Sequence, residues 1–246
     1  MPRALTYHRP ASLDDALALL GGDGHVPLAG GTVLNADRDD APLAMVDLQA
    51  LDLGGITISD NRIDIGAMTS LQEIFDDDQV PELIRWAARA ELPSTLRTLG
   101  TLGGTVAVAG PNSLTLAALL VHEARVEVLS SEGPSSQTLA ETLATGGPPP
   151  AQLIRAVSIA TGGVSSFEGT GRTPADQPLV SATARRTDNK VLLALTGVSK
   201  TPVLVDPDDP TADLQPVGDF RGSTEYRLHL AGVLAARTVA SRGSRS

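Results

Sequence analysis

The sequence predicts a mixed fold of helices and strands in two parts, and three observations carry that reading. Segments with helix-capping residues alternate with short strand-like apolar runs up to about residue 130. A stretch rich in Ser, Gly, Thr and Pro, residues 130–150, then interrupts the packed pattern. Beyond it, strand-like runs lead into one long helical segment at the end of the chain. The 246 residues, 41% hydrophobic and 20% charged, suffice for a substantial core, although 24 Gly and 17 Pro punctuate them. The interruption sets a domain border, with residues 1–150 on one side and 151–246 on the other.

The elements follow in order. Ser12 caps a first helix whose opening turn carries Asp14 and Asp15 at the positive end of the helix dipole, and Leu13, Ala16, Leu17 and Leu20 form its apolar face up to the stop at Gly21-Gly22. A short strand, Val26-Pro27-Leu28-Ala29, runs directly into Gly30-Gly31-Thr32, and a second is expected near Ala44-Met45-Val46. Ile56, Ile58, Ile63 and Ile65 alternate about the polar turn Ser59-Asp60-Asn61, the pattern of a half-buried hairpin. Thr69-Ser70-Leu71-Gln72-Glu73 is a capping box opening a short helix. Pro81 suits the first turn of another helix, which runs through Leu83, Ile84, Trp86, Ala87 and Ala90 and closes at Pro93.

A second glycine loop, Leu99 to Ala107, precedes a helix over Leu114–Val121 and a strand over Arg125–Leu129. Leu139–Leu143 is long enough for a turn or two of helix. Strands are expected at Leu153–Ile159, Leu179–Arg186 and Val191–Val198, the last two joined by a turn at Thr187-Asp188-Asn189-Lys190. The final helix, about Ser223 to Ala240, turns Leu228, Leu230, Ala231, Leu234 and Ala235 toward the sheet, and Ser241–Ser246 is expected to fray.

Composition excludes several function classes. A net charge of −10, scattered Arg and only six aromatic residues argue against nucleic acid and anionic membranes as partners. No run approaches the ~18 apolar residues of a membrane span, and Met1 to His8 has no apolar signal-peptide core, so the expected location is the cytoplasm. Without cysteine, the chain itself holds neither a zinc–thiolate site nor a cysteine-ligated iron–sulfur cluster.

The chemistry-bearing features are the two glycine segments. Ala29-Gly30-Gly31-Thr32 and Thr101-Leu102-Gly103-Gly104-Thr105 each set glycines beside a threonine, which lets successive backbone N–H groups and a hydroxyl converge on phosphate oxygens. Paired glycines also serve simply as tight turns, and neither segment matches G-x-G-x-x-G or G-x-x-x-x-G-K-[ST]. His8, His25, His122 and His229 show no ligand spacing, Asp76-Asp77-Asp78 reads as a solvated helix end, and no catalytic constellation emerges. Asp219 with Arg221 and Glu225 with Arg227 are expected as ion pairs that position the last helix.

The ordered set of motifs resembles the flavoprotein (medium) subunit of the molybdenum hydroxylases, the carbon monoxide dehydrogenase and xanthine dehydrogenase family. It comprises Tyr7-His8-Arg9-Pro10-Ala11-Ser12-Leu13-Asp14-Asp15-Ala16, the first glycine segment, Arg97-Thr98-Leu99-Gly100-Thr101-Leu102-Gly103-Gly104, Ala117-Ala118-Leu119-Leu120, Arg125-Val126 and Asp219-Phe220-Arg221-Gly222-Ser223-Thr224-Glu225-Tyr226-Arg227. The resemblance implies an α+β fold: a PCMH-type FAD-binding domain of two subdomains, about 1–53 and 54–150, then a small antiparallel-sheet-plus-helix C-terminal domain. It implies that FAD lies extended between the subdomains, with Ala29, Gly30, Gly31, Thr32, Val33 and Leu34 as one pyrophosphate contact and Thr101, Leu102, Gly103, Gly104 and Thr105 as the other. It also implies a small [2Fe–2S] subunit and a large molybdopterin-binding subunit as partners, with FAD passing electrons from the clusters to an outside acceptor.

The chain departs from that family's pattern in three places. Thr105 replaces an asparagine, Leu114 replaces an acidic residue, and Phe167-Glu168-Gly169-Thr170-Gly171-Arg172 lacks a lysine. Each lost polar contact is worth roughly 0.5–1.5 kcal/mol of cofactor binding. Two functions therefore compete: a working FAD subunit of a molybdenum hydroxylase, and a scaffold subunit of the same fold with weak or lost FAD binding.

Overall fold

The computed structural model describes residues 4–36, 42–59, 61–149, 151–171 and 176–241. Its first unit is small. Strand β1 (Ala4–His8) leads to helix α1 (Leu13–Leu20), and β2 (His25–Leu28) and β3 (Leu43–Asp47) complete a parallel sheet ordered β1-β3-β2. Ser12 caps α1 as expected, its hydroxyl accepting the Asp15 N–H. Ala16, Leu20, Val46, Leu48, Leu51 and Leu53 form the core beneath it. Strand β1 has no counterpart in the sequence reading, because it is an edge strand whose Leu5 and Tyr7 remain exposed and so shows no alternation of burial.

The second unit is a five-stranded antiparallel sheet with helices on its face. The expected hairpin forms as β4 (Ile56–Ser59) and β5 (Arg62–Gly66), followed by α2 (Leu71–Asp76), α3 (Glu82–Glu91), a single turn α4 (Ser94–Arg97), α5 (Leu102–Val108) and α6 (Leu114–Val121). Ser70 and Glu73 close the expected capping box. Strands β6 (Arg125–Ser130) and β7 (Gly133–Thr138), helix α7 (Leu139–Ala144) and strand β8 (Leu153–Ala160) finish the unit in the order β4-β5-β8-β6-β7. Every residue of α6 is buried, because the helix is apolar on all sides and lies between the second unit and the sheet that follows.

Three expectations are corrected here. The second glycine segment is the first turn of α5 and not a loop, with Thr101 as its N-cap. Residues 133–138 form a strand, whose polar, exposed side chains hid its pairing with β6. Strand β8 pairs with both β5 and β6, so residues 153–160 belong to the sheet of the preceding elements and not to that of the following ones.

The last unit is a four-stranded antiparallel sheet, with β9 (Val164–Thr170), β10 (Val180–Arg186), β11 (Val191–Thr196) and β12 (Val203–Val205) ordered β12-β11-β10-β9. Helix α8 (Thr224–Ala240) packs on it through Leu230, Ala231, Leu234 and Ala235, while Leu228 is only half-buried. The expected ion pairs rearrange. Arg227, buried, bonds Asp219 at 2.8 Å and also donates to the Gly197 carbonyl at 2.8 Å. Arg221 instead donates to the Gln177 carbonyl. Asp60, Pro150, Arg172 and residues 242–246, on which sequence expectations also fell, lie outside the described residues.

Candidate functional site

A cleft of about 1510 Å³ opens where the first unit, helices α3 to α6 and strand β9 meet. That exceeds the ~300–1,000 Å³ of typical small-ligand sites and suits an extended dinucleotide. Of the sequence-predicted residues, Ala29, Gly30, Gly31, Thr32, Val33, Leu34, Thr101, Gly104 and Thr105 line it. Leu102 and Gly103 stand behind its wall. Leu102 is fully buried in the main core, and a Cβ on Gly103 would lie 2.8 Å from Ala67 Cβ.

The two glycine segments touch directly. A Cβ on Gly30 would fall 1.7 Å from the Leu99 carbonyl oxygen, so only glycine lets the loop after β2 rest on the chain leading into α5. Gly31 holds φ +68°, a left-handed turn that reverses the chain toward Asn35, whose N–H donates to the Gly31 carbonyl. Within this loop, the N–H groups of Gly30, Gly31, Thr32, Val33 and Leu34 have no acceptor among the described residues.

The α5 segment differs on this point from the sequence reading. Its Leu102, Gly103, Gly104 and Thr105 N–H groups donate to Thr69 O, Ala67 O, Thr101 Oγ1 and Thr101 O respectively, so they are already engaged in building the turn. The Thr105 hydroxyl likewise donates to the Thr101 carbonyl at 3.0 Å.

Apart from Leu114 and the Phe167 segment, which the family resemblance singles out, the rest of the wall was not legible as a site in the sequence. Helix α3 contributes Trp86, Arg89, Ala90 and Glu91, and the rings of Trp86 and Phe167 on β9 meet with centroids 4.2 Å apart. Arg97 is held from two sides, donating to Gln72 Oε1 and to the Arg89 carbonyl, both at 2.8 Å. Arg89 and Arg97 bring positive charge to the cleft of an acidic protein, beside the carboxylates Glu91 and Asp176. Leu114 sits in the wall, 4% exposed. Helical periodicity identified the core-facing side of α3, but nothing in it distinguishes a residue at a helix end that borders a cleft from one that borders water.

The acidic run Asp76-Asp77-Asp78 has structural partners. Asp76 accepts from Gln72, Asp77 from the Gln79 N–H, and Asp78 pairs with Arg85 at 2.7 Å. His8 and His25 lie with ring centroids 5.6 Å apart, and no cluster of three or more His, Cys, Asp or Glu among the described residues is placed to hold a metal ion. Burial pushes the His122 pKa down to about 4, and the neighbouring Arg185 charge adds to this. No helix among the described residues is long and apolar enough to cross a membrane.

Residues 3–160 match the family model described as FAD binding domain in molybdopterin dehydrogenase. The carbon monoxide dehydrogenase medium chain of Afipia carboxidovorans is 28% identical over 279 aligned residues, covering 97% of this chain and 96% of that protein. The xanthine dehydrogenase FAD-binding subunit of Escherichia coli O157:H7 is 29% identical over 52% of this chain and 47% of its own length. In structure, the reconstituted CO dehydrogenase from Oligotropha carboxidovorans superposes with a TM-score of 0.86 at 27% identity, covering 97% of each chain. With the α+β architecture and the cleft already in place, the match over residues 3–160 shows that the chain belongs to the family of FAD-binding domains of molybdopterin dehydrogenases, oxidoreductase subunits whose cofactor is FAD.

Proposed function

We propose that this chain is the electron-transfer subunit of a molybdenum hydroxylase complex, holding FAD in the cleft between its first unit and helices α3 to α6. The observation that carries the reading is the run of unengaged N–H groups from Gly30 to Leu34 on a loop lining that cleft. Backbone donors of this kind bind phosphate oxygens regardless of the net negative charge of the protein. In this reading Ala29, Gly30, Gly31, Thr32, Val33 and Leu34 hold the pyrophosphate. Thr101, Gly104 and Thr105 border it, and Leu102 and Gly103 support them from behind. Bound FAD supplies a ring that takes up and releases electrons one or two at a time.

The same reading assigns the partners: a small [2Fe–2S] subunit that delivers electrons, a large molybdopterin-binding subunit that oxidises the substrate, and an external acceptor. It places the complex in the cytoplasm. It also divides the chain into an FAD-binding domain and a C-terminal domain. The pairing of β8 inside the five-stranded sheet supports a joint at residues 161–163, where composition suggested a border near 150.

The scaffold alternative draws on one observation, the four engaged N–H groups of the α5 turn, which leave fewer donors for phosphate than the glycine composition suggested. A visible absorption spectrum before and after incubation with FAD separates the two, paired with a thermal melt. Stoichiometric bound flavin with a raised melting temperature is expected, since FAD at 100 times its dissociation constant adds about 2.7 kcal/mol. A folded protein with neither flavin nor a shift, alone and with its partner subunits, would leave the scaffold reading standing.

A further inference from the structure

The cleft wall holds a carboxylate that the glycine segments do not explain. Glu91 is the last residue of α3, and its Oε2 accepts the Thr115 N–H at 2.9 Å, so that it serves the N-terminus of α6 from a different helix. Ser113 caps the same terminus, its hydroxyl accepting the Leu116 N–H. Glu91, Ser113 and Leu114 all line the cleft, next to the Trp86–Phe167 ring pair. Position 114, where the family resemblance expects an acidic side chain, offers only a buried leucine.

A half-buried carboxylate in a largely apolar wall is unfavourable unless donors surround it. Burial pushes Glu91 above the usual carboxylate range, against the pull of the Thr115 N–H and the other donors of the α6 terminus. The Thr115 N–H thus engages Oε2, and the residue borders a cleft large enough for a ligand with donors of its own. FAD carries such donors in its ribityl and ribose hydroxyls, whereas its pyrophosphate repels a carboxylate and suits the Gly30–Leu34 loop instead.

We propose that Glu91 is an FAD-binding residue, whose carboxylate accepts from hydroxyl groups of the cofactor and supplies from α3 the acidic group that Leu114 does not supply from α6. This inference rests on the reading that FAD occupies the cleft. Ionised Glu91 accepts more strongly than the protonated form, so FAD affinity rises with pH as Glu91 loses its proton. Among the described residues, the other ionisable groups lining the cleft are Arg89 on the same helix, Arg97 on α4 and Asp176 ahead of β10. The first turn of α6 carries no charged residue.

The test is the FAD dissociation constant of the full chain across pH for wild type, Glu91→Gln, Glu91→Leu, Leu114→Asp and the double variant Glu91→Leu/Leu114→Asp, with circular dichroism as a check on folding. Glu91→Leu is expected to weaken FAD about tenfold, and the double variant to regain most of that loss. Glu91→Gln keeps an acceptor for the Thr115 N–H, so a purely structural role leaves it like wild type. The inference expects instead about threefold weaker binding and a flat pH profile. Wild-type FAD binding matched by Glu91→Gln at every pH overturns the inference and leaves the proposed function intact. Wild type that binds no FAD overturns both.

Discussion

His122 lies where the second unit meets the third, and its protonation is a direct test of that joint. The ring is 2% exposed, Nδ1 lies 2.9 Å from the Ala160 carbonyl and donates to it, and the Ala160 N–H donates back to the His122 carbonyl. Beside it, the buried Arg185 guanidinium donates to Val121, Thr161 and Gly162 carbonyls and pairs with Glu123. A proton on His122 would place a second positive charge in this buried cluster. The unfolded chain takes up that proton near pH 6.5, and the folded chain only near pH 4. The folded state is therefore favoured in full above about pH 6.5, and that contribution is lost as pH falls toward 4. The whole span corresponds to about 3 kcal/mol, a large fraction of a typical domain's stability. Urea denaturation of wild type and His122→Asn from about pH 4 to pH 7.5 measures it, because carboxylates common to both proteins cancel in the difference. The wild type is expected to lose stability more steeply than the variant on acidification. Parallel curves would refute the assignment of a buried neutral imidazole.

Three further outcomes follow from the geometry. Gly30→Ala drives a Cβ into the Leu99 carbonyl, a backbone atom unable to swing aside. The loop and the α5 entry must separate, which should destabilise the protein by about 1–3 kcal/mol and weaken FAD at least tenfold by fluorescence titration; unchanged affinity would show that the loop contact does not shape the cleft. Thr101→Ala removes the side-chain acceptor for the Gly104 N–H at the α5 N-cap and should lower stability by about 1 kcal/mol in chemical denaturation, with no loss counting against the cap. Arg227→Leu strips the Gly197 and Leu179 carbonyls of their donor and should cost about 2–4 kcal/mol. Asp219→Asn, at the exposed end of the same network, should cost clearly less, and a reversed order would contradict the buried role of Arg227.

Much of this was legible along the chain because the signals are local. Ser12, Ser70 with Glu73, and Pro81 each mark a helix start through groups a few residues apart, and the alternating Ile56, Ile58, Ile63 and Ile65 carry the period of a hairpin within one segment. The first glycine segment was legible for the same reason. Its lack of side chains is a property of the segment itself, and the structure adds what that lack permits, contact with Leu99. Polar or exposed strands escaped this reading. Strands β1 and β7 bury too little of their own surface to show a pattern, and their pairing partners decide their state.

The sequence by itself determined the mixture of helices and strands, the core-facing stripes and the glycine loop, since capping, periodicity and the missing Cβ act over a few residues. Only the tertiary structure decided that β8 joins the second sheet and that Arg227 pairs with Asp219. It also decided that the α5 amides are already engaged and that Glu91 reaches Thr115 across 24 residues of sequence. Each of these joins groups distant along the chain, and which donor meets which acceptor depends on how whole elements pack, a choice driven by burial that no local pattern encodes.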